Sequence, residues 1–194
     1  MKILIAIAYT KFIETACWNS LINLLRPADA QIEIRTYARY SVAQARNVSV
    51  KEAINDGFDR IFIVDSDQIL PKDCLIKLLA MDCDIACGWT MMNVGHPETN
   101  AAIYSAEKNN FSFHTLKTMP KDAPFESDGG GLAVALLKLD IFRELMYPYF
   151  RFIEYANGDI LTEDLNFCLT VKQLGKTIKV DPSCRAGHIK HIVI

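Results

Sequence analysis

The chain has 194 residues, 51% of them apolar and 23% charged, with a formal net charge of -2. That size and composition fit one globular domain spanning residues 1–194, able to bury a sheet on both faces, and the balance of charge excludes the basic surface of a nucleic-acid-binding protein. No apolar run approaches the roughly 20 residues that cross a bilayer, so no transmembrane segment is expected.

Six cysteines are scattered along the chain, and only Cys83 and Cys87 are close. No zinc spacing is completed, so they read as buried free thiols of a cytoplasmic protein. The stretch 2–8 imitates a secretory signal, but its apolar core is shorter than the roughly 7–15 residues such a signal uses. It reads as a first buried strand.

Residues 12–25 place Phe12, Ile13, Ala16, Cys17, Leu21, Leu24 and Leu25 on one helical face. Residues 31–37 alternate as a strand. Residues 42–56 form an amphipathic helix with Ser41 as N-cap and Gly57 as its stop. Residues 60–64 are a central strand, Pro71 starts a helix to about residue 81, and 84–89 is a further short strand. Repeated β-α-β of this kind predicts a parallel sheet with right-handed crossovers.

Residues 90–130 break that rhythm with three prolines and short β-like pieces around 101–105 and 111–115, and they end in three glycines at 129–131. A long irregular stretch of this kind is usually functional. A strand at 132–137, a helix at about 140–146, a helix at 163–174 capped by Thr162 and closed by Gly175, and a strand at 177–180 complete the reading.

The chemistry gathers at a few places. The apolar run Ile61, Phe62, Ile63 and Val64 ends in Asp65, Ser66 and Asp67. A buried strand thus delivers two carboxylates to a sheet edge, where open α/β sheets bind ligands. Alternation sends both to one side. Adjacent anions repel unless a cation lies between them, and a hard divalent ion there commonly bridges to substrate phosphates. Ser66 is small enough for a ligand to approach the backbone. The plainer reading is an Asp-rich turn.

Arg46, beside Asn47 on the polar side of its helix, matches a diphosphate with its planar fork; otherwise it is a solvated helix charge. Glu163 and Asp164 open a late helix, where the dipole keeps a carboxylate ionised, as a general base must be; electrostatic capping is the plainer account. His188 completes a metal shell begun by Asp65 and Asp67, with His191 as its competitor. His96 and His114 carry no local support.

In this order the elements resemble the GT-A glycosyltransferases, of the family-two type, which bind nucleotide-sugars through a DxD motif. The resemblance rests on Ala8-Tyr9-Thr10, Ala45-Arg46-Asn47, Val64-Asp65-Ser66-Asp67, the glycine run, Glu163-Asp164 and Gly187-His188. It implies an α/β fold with a Rossmann-like, mostly parallel sheet and a small mixed β region on the acceptor side. Residues 1–90 would form the nucleotide-binding half and 91–194 the acceptor half.

Carried onto this chain, Ala8, Tyr9 and Thr10 line the nucleoside pocket, with Arg46, Asn47 and Ser66 on the donor. Asp65 contacts ribose or metal, Asp67 holds the metal (Mn2+ or Mg2+), and His188 is a late metal ligand. Gly130 and Gly131 shape the acceptor side, with Trp89 as a sugar-stacking platform. Asp164, or Glu163 in a shifted register, is the base of an inverting transfer. The donor is a nucleotide diphosphate sugar, UDP first, and the acceptor is a glycan, lipid-linked or protein hydroxyl.

One departure stands out: an acidic residue often follows the second strand in that family, and here the sequence reads Thr36-Tyr37-Ala38-Arg39. Two alternatives remain: a haloacid-dehalogenase-type phosphatase with Asp65 as nucleophile, its late acidic motif mimicked by Gly158, Asp159 and Asp164, and a non-catalytic sugar-nucleotide-binding scaffold.

Overall fold

A computed structural model describes residues 1–38, 40–92, 100–107 and 110–191. His96 and Arg39 lie outside the described residues. In chain order the elements are β1 (Lys2–Tyr9), α1 (Thr15–Ile22), β2 (Gln31–Ala38), α2 (Val42–Asn55), β3 (Arg60–Asp65), β4 (Gln68–Ile69), α3 (Cys74–Ala80) and β5 (Ile85–Trp89). There follow β6 (Asn100–Glu107), β7 (Asn110–Thr115), β8 (Phe125–Glu126), β9 (Gly129–Gly130) and β10 (Val134–Lys138). A 3-10 helix (Leu139–Glu144), β11 (Ile153–Glu154), β12 (Ile160–Leu161), α4 (Glu163–Gln173), β13 (Ile178–Arg185) and β14 (Gly187–His188) end the described chain. No helix among the described residues is long and apolar enough to cross a membrane.

Seven strands form the central sheet in the order β2-β1-β3-β10-β5-β13-β8. β2, β1 and β3 are parallel, as are β5 and β13, while β10 runs antiparallel between β3 and β5. The sheet is mostly parallel, as expected, but the strand read at 132–137 is reversed. The chain enters β10 from the separate sheet β7-β6-β9 instead of through a crossover helix, and so returns against its neighbours.

The period-two pattern of a strand divides the core in two. Leu4, Ala6, Ile61 and Ile63 face a layer with Ala45, Val50 and Ala53 of α2 and Phe167 and Val171 of α4. Ile3, Ile5, Phe62 and Val64 face the other side, against Cys17 and Leu21 of α1 and Leu75 and Leu78 of α3. This accounts for the near-continuous apolar runs of β1 and β3.

Helix ends differ from the sequence reading where backbone groups find tertiary partners. The helix expected over 12–25 begins at Thr15, because the amide of Glu14 donates to the carbonyl of Ser66 at 3.0 Å, and Phe12 and Leu25 remain exposed. Pro71 does not open α3; a turn separates them, with the Cys74 amide donating to the Pro71 carbonyl at 3.0 Å. The segment expected to be helical at 140–146 is a 3-10 turn that buries Ile141 and Phe142. The short β-like pieces read around 101–105 and 111–115 are β6 and β7, paired as a hairpin. By contrast, Ser41 caps α2 in a reciprocal capping box with Gln44, and Gly57 follows its end at φ 69°.

Candidate donor and catalytic cleft

Residues 8 and 65 are register partners in β1 and β3. The two parallel strands therefore release Tyr9 and Thr10 beside Ser66 and Asp67 at the same sheet edge. Ala8, Tyr9, Thr10, Asp65, Ser66 and Asp67 line one hollow of about 190 Å³, together with Tyr40 and Val42. The last two were not foreseen. The pairing of Ala38 with Tyr9 carries the end of β2 to this edge, so that register is the signal that could have found them.

Asp65 and Asp67 share the hollow but have different partners. Both carboxylate oxygens of Asp65 accept from Arg46 Nη2, at 3.2 and 3.3 Å. Asp67 Oδ1 accepts from Gln68 Nε2 at 2.8 Å, and its Oδ2 lies 3.1 Å from His188 Nε2. Pairing of β14 with β4 sets His188 opposite Gln68, and the Ile189 amide donates to the Asp67 carbonyl at 2.9 Å.

The imidazole of His188 is held at both nitrogens. Nδ1 is 3.0 Å from the carbonyl of Met91, an acceptor only, so that nitrogen carries the hydrogen. Nε2 then faces a carboxylate, and the contact is favourable only with a proton or a cation on Nε2. His191, the competing ligand, turns away: its Nε2 is 2.6 Å from Glu14 Oε1 on the surface.

Arg46 departs most from expectation. It is 3% exposed, neither a solvated helix charge nor a group free to reach phosphates. Besides Asp65 it holds Glu163, with Nη1 2.5 Å from Oε1. Its Nε is buried without a hydrogen-bond partner among the described residues. Burial opposes its charge, but the carboxylates of Asp65, Glu163 and Asp164 outweigh burial and raise its pKa. Burial pushes the Glu163 pKa up against the pull of Arg46. Asn47 faces the interior as well: it donates to the carbonyls of Ala43 and Phe150 and accepts from the amides of Tyr149 and Phe150, tying α2 to that loop.

With Glu163 committed to Arg46, Asp164, the other carboxylate of α4, takes different partners. Its Oδ1 accepts from the Thr162 hydroxyl at 2.5 Å and from the Leu165 amide at 2.8 Å. Thr162 thus spends its hydroxyl on Asp164 and makes no side-chain cap. Oδ2 is approached by the Tyr104 hydroxyl at 3.4 Å. Burial, then the field of Asp164, raises the Tyr104 pKa, so its phenol stays protonated. Tyr104 escaped the sequence reading because 60 positions separate it from Asp164.

The glycines and the tryptophan take structural places. A Cβ on Gly129 would come within 3.0 Å of the Tyr104 ring, one on Gly130 within 2.9 Å of Cys87 Sγ, and one on Gly131 within 2.8 Å of Ala102 Cβ. The run lets β9 press against its neighbours and admits the Tyr104 ring. Trp89 is 4% exposed, its indole donates to the Pro182 carbonyl at 2.9 Å, and Arg185 lies over its ring at 5.2 Å, which leaves no face for a sugar. Among the described residues, no group of three His, Cys, Asp or Glu is close enough to hold a metal ion by itself.

No protein-family model and no curated protein matches the chain. Solved structures do. Over 98% of this chain and 87% of its own, A197 from STIV superposes with a TM-score of 0.67 at 19% identity. GalNAc-T7, crystallised with UDP, GalNAc and Mn2+, gives 0.67 at 14% identity, and S. aureus TarS gives 0.60 at 14%. The chain spans 44% and 37% of those two glycosyltransferases. The likeness is one of fold, the α/β GT-A type with its mostly parallel sheet and flanking helices.

Proposed function

We propose that the chain transfers a sugar from a nucleotide diphosphate sugar, UDP first, to a hydroxyl acceptor. Asp67 and His188 hold a divalent cation, and Asp164 is the base. The observation that carries this reading is that Arg46 binds Asp65 and Glu163 at once, which ties the end of β3 to the first turn of the helix that bears Asp164. GT-A neighbours, one of them crystallised with UDP and Mn2+, add support.

The residues at the cation position fit such an ion. Ligand atoms at about 2.1 Å from a metal and at right angles stand roughly 3 Å apart, and Asp67 Oδ2 and His188 Nε2 stand 3.1 Å apart. The Met91 carbonyl fixes the tautomer that leaves Nε2 open. Asp67 and His188 would hold the ion, Mn2+ or Mg2+. When bound, the cation neutralises charge on the departing diphosphate.

The protein's own residues do the rest. The hollow at the ends of β1 and β3 seats the nucleoside, with Tyr9 and Tyr40 among the residues that line it and no carboxylate from the end of β2. Donors on Oδ1 hold Asp164 so that Oδ2 takes the proton of the attacking hydroxyl. Inversion at the anomeric carbon follows from attack opposite the leaving diphosphate. The phosphatase alternative needs a free Asp65, whose two oxygens are engaged by Arg46.

Calorimetric titration with UDP, with and without Mn2+, tests the reading. Binding should require the metal and disappear in Asp67→Asn. Equal binding without Mn2+, or none in its presence, overturns it.

A further inference from the structure

Cys74 opens α3 and Cys184 lies near the end of β13, on the seam where that helix packs against the sheet. The two are 110 positions apart in sequence and both fully buried, and their Sγ atoms stand 2.8 Å apart. A disulfide bond is about 2.05 Å long, so closure needs less than about 1 Å of movement. Other thiols are turned differently: the sulfurs of Cys17, Cys83 and Cys168 face the carbonyls of Asp65, Ile85 and Gly130. The same seam is joined beside this pair by Lys77 Nζ donating to the Ser183 carbonyl at 3.5 Å.

We infer that Cys74 and Cys184 are the site of an intramolecular disulfide, formed with a small disulfide such as oxidised glutathione as oxidant. One cysteine thiolate attacks a glutathione sulfur and expels one glutathione thiolate. The second cysteine attacks the resulting mixed disulfide and expels the other. Two electrons and two protons pass from the protein thiols to two glutathione molecules, leaving one S–S bond. The contact with Cys184, and after it burial, push the Cys74 thiol well above its usual range. The thiolate is therefore scarce in the closed fold, and the bond forms while the chain folds or when the seam opens. Once made, it ties α3 to the strand leading to His188. The inference is independent of the transferase reading.

The test is refolding in a mixture of reduced and oxidised glutathione, alkylation under denaturing conditions, proteolysis and peptide mass analysis. Two of the six cysteines should escape alkylation, and the peptides bearing Cys74 and Cys184 should be joined until dithiothreitol is added. Closing a loop of this length should raise Tm by on the order of 10 °C, an increment lost in dithiothreitol and absent from Cys74→Ala. Alkylation of all six cysteines, or joined peptides containing another cysteine, overturns the inference. The wild-type peptide map decides even if the variant does not fold.

Discussion

The two acidic pairs, Asp65 with Asp67 and Glu163 with Asp164, flank one buried guanidinium and divide their labour in the same way. In each, one carboxylate is bound by Arg46 and the other takes different partners. These other members differ in what surrounds them. Asp67 meets an imidazole that needs a positive charge on the facing nitrogen, whereas Asp164 is fixed by a hydroxyl and an amide on one oxygen and approached by a phenol on the other. In the proposed reading the same side chain serves a cation in one place and a proton in the other. The comparison also shows why a two-residue motif at a strand or helix end is a weak guide to role, since one member of each pair here is tied to the buried Arg46.

Breaking the shared member should have the largest effect. Arg46→Met leaves the buried Glu163 and the half-buried Asp65 unpaired, and urea unfolding should show a loss of about 3–5 kcal/mol. Arg46→Lys keeps the charge but cannot serve two carboxylates with a fork, so it should fall between the two. A stability change below about 1 kcal/mol in Arg46→Met would mean that the guanidinium does not hold the pairs together.

Next come the other members of the pairs, taken one at a time. Asp164→Asn should lower sugar transfer by roughly 10²–10⁴-fold while leaving Mn2+-dependent UDP binding intact, the range for loss of a general base. Full turnover in that variant would remove Asp164 from the role. His188→Ala should do the reverse, weakening Mn2+-dependent UDP binding on the order of 10–100-fold, as read by calorimetry. The smallest effect is expected of Tyr104→Phe. Loss of one long hydrogen bond near Asp164 corresponds to about 0.5–1.5 kcal/mol, and should appear as a fall in kcat of roughly tenfold at most, with UDP affinity unchanged.

How legible these roles were depends on how local the determinants are. β1, β3 and α2 could be read because an apolar run and a capping box are written in consecutive residues, and because parallel strands release their ends at one edge. Ala8, Tyr9, Thr10, Asp65, Ser66 and Asp67 gathered as expected for that reason. Burial of a charged residue is not local. Arg46 reads as an ordinary helix surface residue until Glu163, 117 positions later, is brought against it. Trp89 and Gly130 looked available for the same reason: nothing nearby in sequence announces the Pro182 carbonyl, Arg185 or Cys87 that occupy their surroundings. The reversal of β10 was hidden because an apolar strand carries no mark of its direction.

The most direct measurement is anomalous diffraction at the manganese edge from crystals grown with UDP and Mn2+. One peak within bonding distance of Asp67 Oδ2 and His188 Nε2, touching the diphosphate, is predicted, with the nucleoside beside Tyr9 and Tyr40. A manganese peak remote from both residues, or UDP bound outside the hollow at the ends of β1 and β3, contradicts the account.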